Sequence, residues 1–278
     1  MKTSDDFTEE TTSLEEKTTV ALTPELATAT LFESFDRTRS RRAILKNAFA
    51  GAMGAAGLAV GASALFRPQS VHAEALGGSS CTVDSIKTIF SVAATAERLA
   101  VTFYTNGVKH AGQLGLTGAS LAAIEAALIE EQIHELFFVA NGGTPLASTF
   151  SFPHGANTFE SLNVFIATQQ QLEGVFDSAF LAAIHEFAAM GQPVLARIAG
   201  QIACIESEHR ALGRYIGGLV PADDWAFAPV LIPSVGAAPA IVKQAGFLSP
   251  KPGNSYTYHQ VSTADEGVMY RTPVAVGC

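Results

Sequence analysis

Between Val83 and Gly218 apolar residues recur at three- and four-residue steps, and no stretch alternates apolar with polar as a strand would. The pattern and its punctuation predict four helices. The first spans 83–108 and stops at Asn106-Gly107. The second spans 117–143, opening on a Ser or Thr cap and ending in Asn-Gly-Gly. The third spans 157–191, capped by Thr158 and closed by Gly191. The fourth spans 192–218, with Pro193 in its first turn and Gly217-Gly218 at its end. Short connections make the first and second helices one antiparallel hairpin, and the third and fourth another. The hairpins are separated by residues 141–157. When extended, that segment reaches over about 50 Å, roughly the length of a long helix. Two hairpins and one long crossover predict an all-α four-helix bundle over 76–218.

The flanks read differently. Residues 1–39 are rich in Thr, Glu and Asp with little apolar periodicity, which predicts a disordered acidic leader. Residues 40–75 begin "SRRAILK", continue through a weakly apolar run from Ala48 to Phe66, and end near "SVHAEA". A charged pair, a mild hydrophobic stretch and a small-residue cleavage site form a signal peptide in order, with cleavage expected after Ala73 or Ala75. Adjacent Arg41 and Arg42 make it resemble a twin-arginine export signal, whose partner is the twin-arginine export machinery. The competing reading is an uncut membrane anchor, which four glycines between Ala48 and Phe66 disfavour. On the export reading the protein meets a membrane only through this segment and ends periplasmic or extracellular. Residues 219–278 hold the single Trp and many Pro and Gly, predicting an irregular extension packed over the bundle, with one short helix near 236–245.

Composition narrows the chemistry. The formal net charge is −9, so nucleic-acid binding has no electrostatic support. Cys81, Cys204 and Cys278 form no CxxC, which disfavours a thiolate zinc site. Three buried or inert thiols are the simpler reading; if the compartment is oxidising and a bridge forms, Cys81 and Cys278 are the pair for it.

The helices also carry a repeated acid–imidazole motif. Glu131 and His134 stand three apart in the second helix, and Glu206 and His209 in the fourth. The first and third helices each offer one matching acid, Glu97 and Glu173. Glu97 precedes Glu131 by 34 residues and Glu173 precedes Glu206 by 33, and each lone Glu is followed seven residues later by an aromatic, Tyr104 or Phe180. Four carboxylates buried in one bundle would repel and be costly to desolvate. Two divalent cations would balance them, leaving neutral imidazoles as further ligands. That donor set suits iron or manganese, and also zinc. A Glu from each of two helices plus Glu-x-x-His from each of the other two is the di-iron or di-manganese carboxylate pattern.

On these residues the chain resembles the ferritin-like superfamily, most closely the ferritin-like group that includes secreted bacterial members and plant desiccation-related proteins. The segments "TQQQLEGVFDSAF" and "IESEHRAL" are the most similar. The resemblance implies that Glu97, Glu131, Glu173 and Glu206 are carboxylate ligands, two of them bridging, with His134 and His209 as terminal ligands. It implies two divalent ions, iron or manganese, and dioxygen or peroxide as reaction partners in ferroxidase, oxidase or catalase-like chemistry. It equally admits a stress-associated protective protein with no reaction. Iron storage in a shell ranks last, because an assembled cage is a poor export substrate.

Expectations for the neighbouring residues complete the reading. Tyr104 is either core or a hydrogen-bond donor to the site, and Asp177 either supports the site or lies on the surface. Glu130, Glu135 and Glu208 are expected on the solvent side, and Cys204 in the core facing away from the site. His185 and Glu186 lie too far along the helix, and His110, His154 and His259 fall in solvated loops.

Overall fold

The structure, a computed structural model, describes residues 83–264, 267–269 and 273. The leader, the signal segment and the Cys81–Cys278 pair lie outside the described residues. Four long helices dominate: α1 (Ile86–Lys109), α3 (Gly118–Ala140), α4 (Leu162–Ala189) and α5 (Pro193–Ile216), with a single turn, α2 (Ala111–Leu114), between the first two. Helix α1 packs along α3, and α4 along α5, so the two hairpins are as expected. A further short helix, α6 (Ala238–Gln244), lies in the extension where one was predicted. The only sheet among the described residues pairs β1 (Thr149–Phe150) with β2 (Tyr256–Thr257), antiparallel. Among the described residues, no helix is long and apolar enough to cross a membrane.

Local chemistry explains the helix starts. The Ser85 side chain accepts from the backbone N–H of Thr88, at 3.1 Å, and Ser120 Oγ accepts from the Thr117 N–H, also at 3.1 Å. Pro193 sits in the first turn of α5, where its missing N–H costs nothing.

Two sequence-based boundaries move. The third helix begins at Leu162 behind Ser161, and Thr158 instead lies buried in a 3-10 turn, Gly155–Phe159. The crossover around it is anchored by Phe150, Phe152 and Phe159, all buried. Each buried Phe contributes about 1.5–3 kcal/mol, against about 1 kcal/mol for a cap, so packing decides where the helix starts. At the other boundary, Asn106-Gly107 does not end α1, which continues to Lys109. Gly107 is there for close approach: a Cβ on it would meet the Phe165 ring at 2.7 Å.

The extension straps the bundle at three places. Glu186, far from the acid–imidazole residues, accepts from the backbone of Asp84 (2.6 Å) and Val235 (2.7 Å), tying the start of α1 to the tail. Asp224 receives both Arg210 (2.6 Å) and Arg214 (2.9 Å), while Trp225 lies under the Arg210 guanidinium. Tyr258 covers Arg98 and meets the Gln132 side chain, holding α1 to α3.

Candidate metal centre

The helices bring all six acid–imidazole residues together inside the bundle. His134 is the most accessible, its side chain 12% exposed, while the other five are buried. His134 Nδ1 lies 3.6 Å from Glu131 Oε2, 3.6 Å from Glu206 Oε1 and 3.8 Å from Glu97 Oε2. His209 Nδ1 lies 3.1 Å from Glu131 Oε1 and 3.7 Å from Glu206 Oε2. Two overlapping groups result, Glu97–Glu131–His134–Glu206 and Glu131–Glu173–Glu206–His209. In each, the donor atoms lie within 4.8 Å of one another. Glu131 and Glu206 belong to both groups.

These donors point at one another without satisfying one another. Both oxygens of Glu97, Glu131 and Glu206, Oε2 of Glu173, and Nδ1 of both histidines are buried without a hydrogen-bond partner. Buried polar groups are ordinarily paired, and such a concentration of orphaned acceptors is costly unless cations are held between them. The donor set therefore fits metal ions, carboxylate-rich with one imidazole to each group.

Electrostatics adds to this. Burial, then the neighbouring Glu131 carboxylate, pushes Glu97 well above the usual carboxylate range. Burial also raises Glu173 and Glu206. Glu131 goes the other way: although burial opposes its charge, the adjacent Glu97 carboxyl and the His134 and His209 rings hold it low. His209 is disfavoured as a cation by burial, yet Glu130, Glu131 and Glu206 raise it well above the ordinary imidazole value. Without metal the cluster holds extra protons, and cations compete with them for the same atoms.

Supporting contacts fix the donors. The Tyr104 hydroxyl donates to Glu173 Oε1, the outcome expected if Tyr104 serves the site. Gln169 Nε2 donates to that hydroxyl (2.9 Å) and to the His209 carbonyl (3.0 Å). Gly213 makes room for this amide, since a Cβ there would fall 1.5 Å from Gln169 Oε1. Asp177 is buried and accepts from Ser207 at 2.9 Å, and burial raises it to about 7.

Four expectations are corrected. Glu130 does not simply face solvent: its Oε2 lies 2.8 Å from His209 Nε2. The signal was available, because Glu130 stands one turn before His134 on the same helix face. Glu135 is buried and paired with Arg98 at 2.8 Å, because the Tyr258 ring shields that pair from water. Cys204 is exposed, because it opens onto a groove beside the bundle instead of packing into the core. His110 is half-buried and stacked on Phe159, because the crossover folds back over the end of α1. Glu208, His154 and His259 are exposed. Gln169 was missed, although its place one turn before Glu173 carried the same kind of signal.

An all-α bundle of two hairpins joined by one long crossover, with carboxylates and imidazoles converging inside it, has the ferritin-like architecture. Residues 86–218 match the family model for a ferritin-like domain, which supports placing this segment in the ferritin-like superfamily. No curated protein and no solved structure matches the chain.

Proposed function

We propose that the protein is an exported ferritin-like protein that holds two iron or manganese ions between Glu97, Glu131, His134, Glu173, Glu206 and His209. The observation that carries the reading is the pair of overlapping donor groups sharing Glu131 and Glu206, with their buried atoms otherwise unpartnered. Glu131 and Glu206, which belong to both groups, would serve both ions, while Glu97 and His134 on one side and Glu173 and His209 on the other would each serve one. Bound there, such ions supply redox chemistry toward dioxygen or peroxide. The chain's own residues do the rest. Tyr104 and Gln169 orient Glu173, Glu130 orients His209, and the surrounding side chains keep bulk water from every donor but His134.

Metal analysis of protein prepared in iron- and manganese-supplemented medium tests this directly. Two ions per chain are expected, and less than one after gentle handling removes the reading. With metal present, turnover of dioxygen or peroxide that Glu97→Ala abolishes supports an enzyme. Full occupancy with no turnover favours the protective scaffold. Export is a separate part of the proposal, supported by the residues at 40–75. Arg41→Lys with Arg42→Lys should leave the protein uncleaved inside the cell, whereas the parent should be recovered outside it starting after Ala73 or Ala75.

A further inference from the structure

A groove of about 410 Å³ is lined by α3 and α5 and, from the extension, by Val268, Met269 and Pro273. Its walls are mostly apolar, formed by Ile133, Phe137, Ile202 and Ile205 among others, and its polar floor includes Glu130 and His134. The size and the lining, apolar with a few convergent polar groups, are those of a site for an organic small molecule.

The floor of the groove is also the wall of the metal centre. His134 lines the groove while its Nδ1 faces Glu97, Glu131 and Glu206. Glu130, one turn earlier, lines the same groove while its Oε2 meets His209. The other cluster residues are buried, so here the centre meets the exterior. The chemistry of the floor selects the occupant. A carboxylate accepts more than one hydrogen bond, so Glu130 can take a donor from a ligand while it holds His209. An anion would face that carboxylate and a chain of net charge −9. An uncharged molecule with a hydroxyl at one end and an apolar body satisfies both floor and walls.

We propose that this groove binds an alcohol or phenol with an apolar body, its hydroxyl directed at Glu130 and His134, beside the metal centre. The inference rests on the metal-centre reading and narrows it, naming the class of organic substrate the centre would meet.

The test uses 4-pentylphenol as probe and 4-pentylbenzoate as its anionic match, on the metal-loaded full chain. Cys204 lines the same groove and is exposed, so its alkylation by N-ethylmaleimide, followed on its own peptide, reports occupancy. The phenol should slow that alkylation, and the benzoate should bind at least about tenfold more weakly, as like charges require. Ile205→Trp, and independently Gln201→Trp, should fill the groove and remove the protection at unchanged metal content. With manganese bound, the phenol's proton resonances should broaden far more than with zinc bound. No protection of Cys204, equal protection by both probes, or protection that survives in both tryptophan variants would overturn the proposal. Two metals per chain without protection sinks the groove alone. Protection in a chain that takes up no metal sinks the centre and leaves the groove standing.

Discussion

The two halves of the bundle match at the donors and differ everywhere around them. Glu97, Glu131 and His134 have their counterparts in Glu173, Glu206 and His209, offset by 75 or 76 residues. The Glu173–His209 group is held by Tyr104, Gln169 and Glu130. At the same offsets those three positions are occupied by Phe180, Ala93 and Ile205, none of which can donate or accept a side-chain hydrogen bond. Ala93 and Phe180 line a small apolar cavity, and Ile205 lines the groove that reaches His134. The repeat thus conveys two designs: one donor group is buried and braced by polar contacts, and the other, among the described residues, lacks those three braces and meets the groove through His134. Outer hydrogen bonds raise ligand basicity and fix orientation, so the braced group should bind its ion more tightly and the open one should exchange it faster.

The largest effect should come from the residues the halves share. Glu131→Ala or Glu206→Ala removes a donor from both groups, and metal content should fall for both ions together. His134→Ala and His209→Ala each touch one group and should leave the other ion in place. Chelation of the parent protein should be biphasic, with the faster phase lost in His134→Ala. Chelation in a single phase, or the His209 side emptying first, would break the asymmetry.

Removing both ions tests what the cluster costs the fold. A ligand at 100 to 1,000 times its Kd stabilises by about 2.7–4.1 kcal/mol, so metal-free protein should melt about 10 °C or more below the loaded form. The pH dependence has a definite sign. Glu97, Glu173 and Glu206 hold protons more tightly folded than unfolded. Between the unfolded carboxylate value and their raised folded values the native state binds more protons, so the stability of the metal-free protein falls as pH rises. His209, also raised, adds loss in the same direction above its ordinary value. Glu131, held low, keeps its contribution above the ordinary carboxylate value and loses it progressively as pH falls below that value. Melting of metal-free protein from pH 5 to pH 8 should therefore show a falling Tm, while the loaded form, whose ions displace those protons, should resist the fall.

Much of this was visible along the chain. The helices, the crossover and the six convergent residues follow from periodicity and from the repeated Glu-x-x-His spacing, because a helix converts sequence spacing directly into a shared face. What was not visible depends on packing between elements distant in sequence. Glu135 looks like one more surface acid until Arg98 from α1 and Tyr258 from the tail cover it. Thr158 looks like a cap until the crossover's phenylalanines carry it into the core. Gly213 looks like an ordinary break near a helix end, and only the opposite helix shows that it makes room for Gln169. Cys204 fails in the other direction: an apolar neighbourhood in sequence does not guarantee burial, and this side chain opens onto a groove.

The smaller effects sharpen the comparison by stripping the braces one at a time. Glu130→Gln keeps the shape and removes the charge beside His209 Nε2, and should weaken the ion of that group by about 10–100-fold, the range seen for outer partners of metal-bound histidines. Tyr104→Phe should do less. It makes the braced half resemble its counterpart, where Phe180 already stands, and removes only a neutral hydroxyl from Glu173. Gln169 keeps its bond to the His209 carbonyl, so that ring should stay in place. A lost hydrogen bond of about 0.5–1.5 kcal/mol corresponds to a several-fold to roughly tenfold loss of affinity, confined to the Glu173–His209 ion. Calorimetric titration resolves this, because the two ions should bind in separable steps in the parent and approach equivalence in Tyr104→Phe. If the variant weakens the Glu97–His134 ion instead, the polar contacts are not what separates the halves, and the difference between them lies in the groove alone.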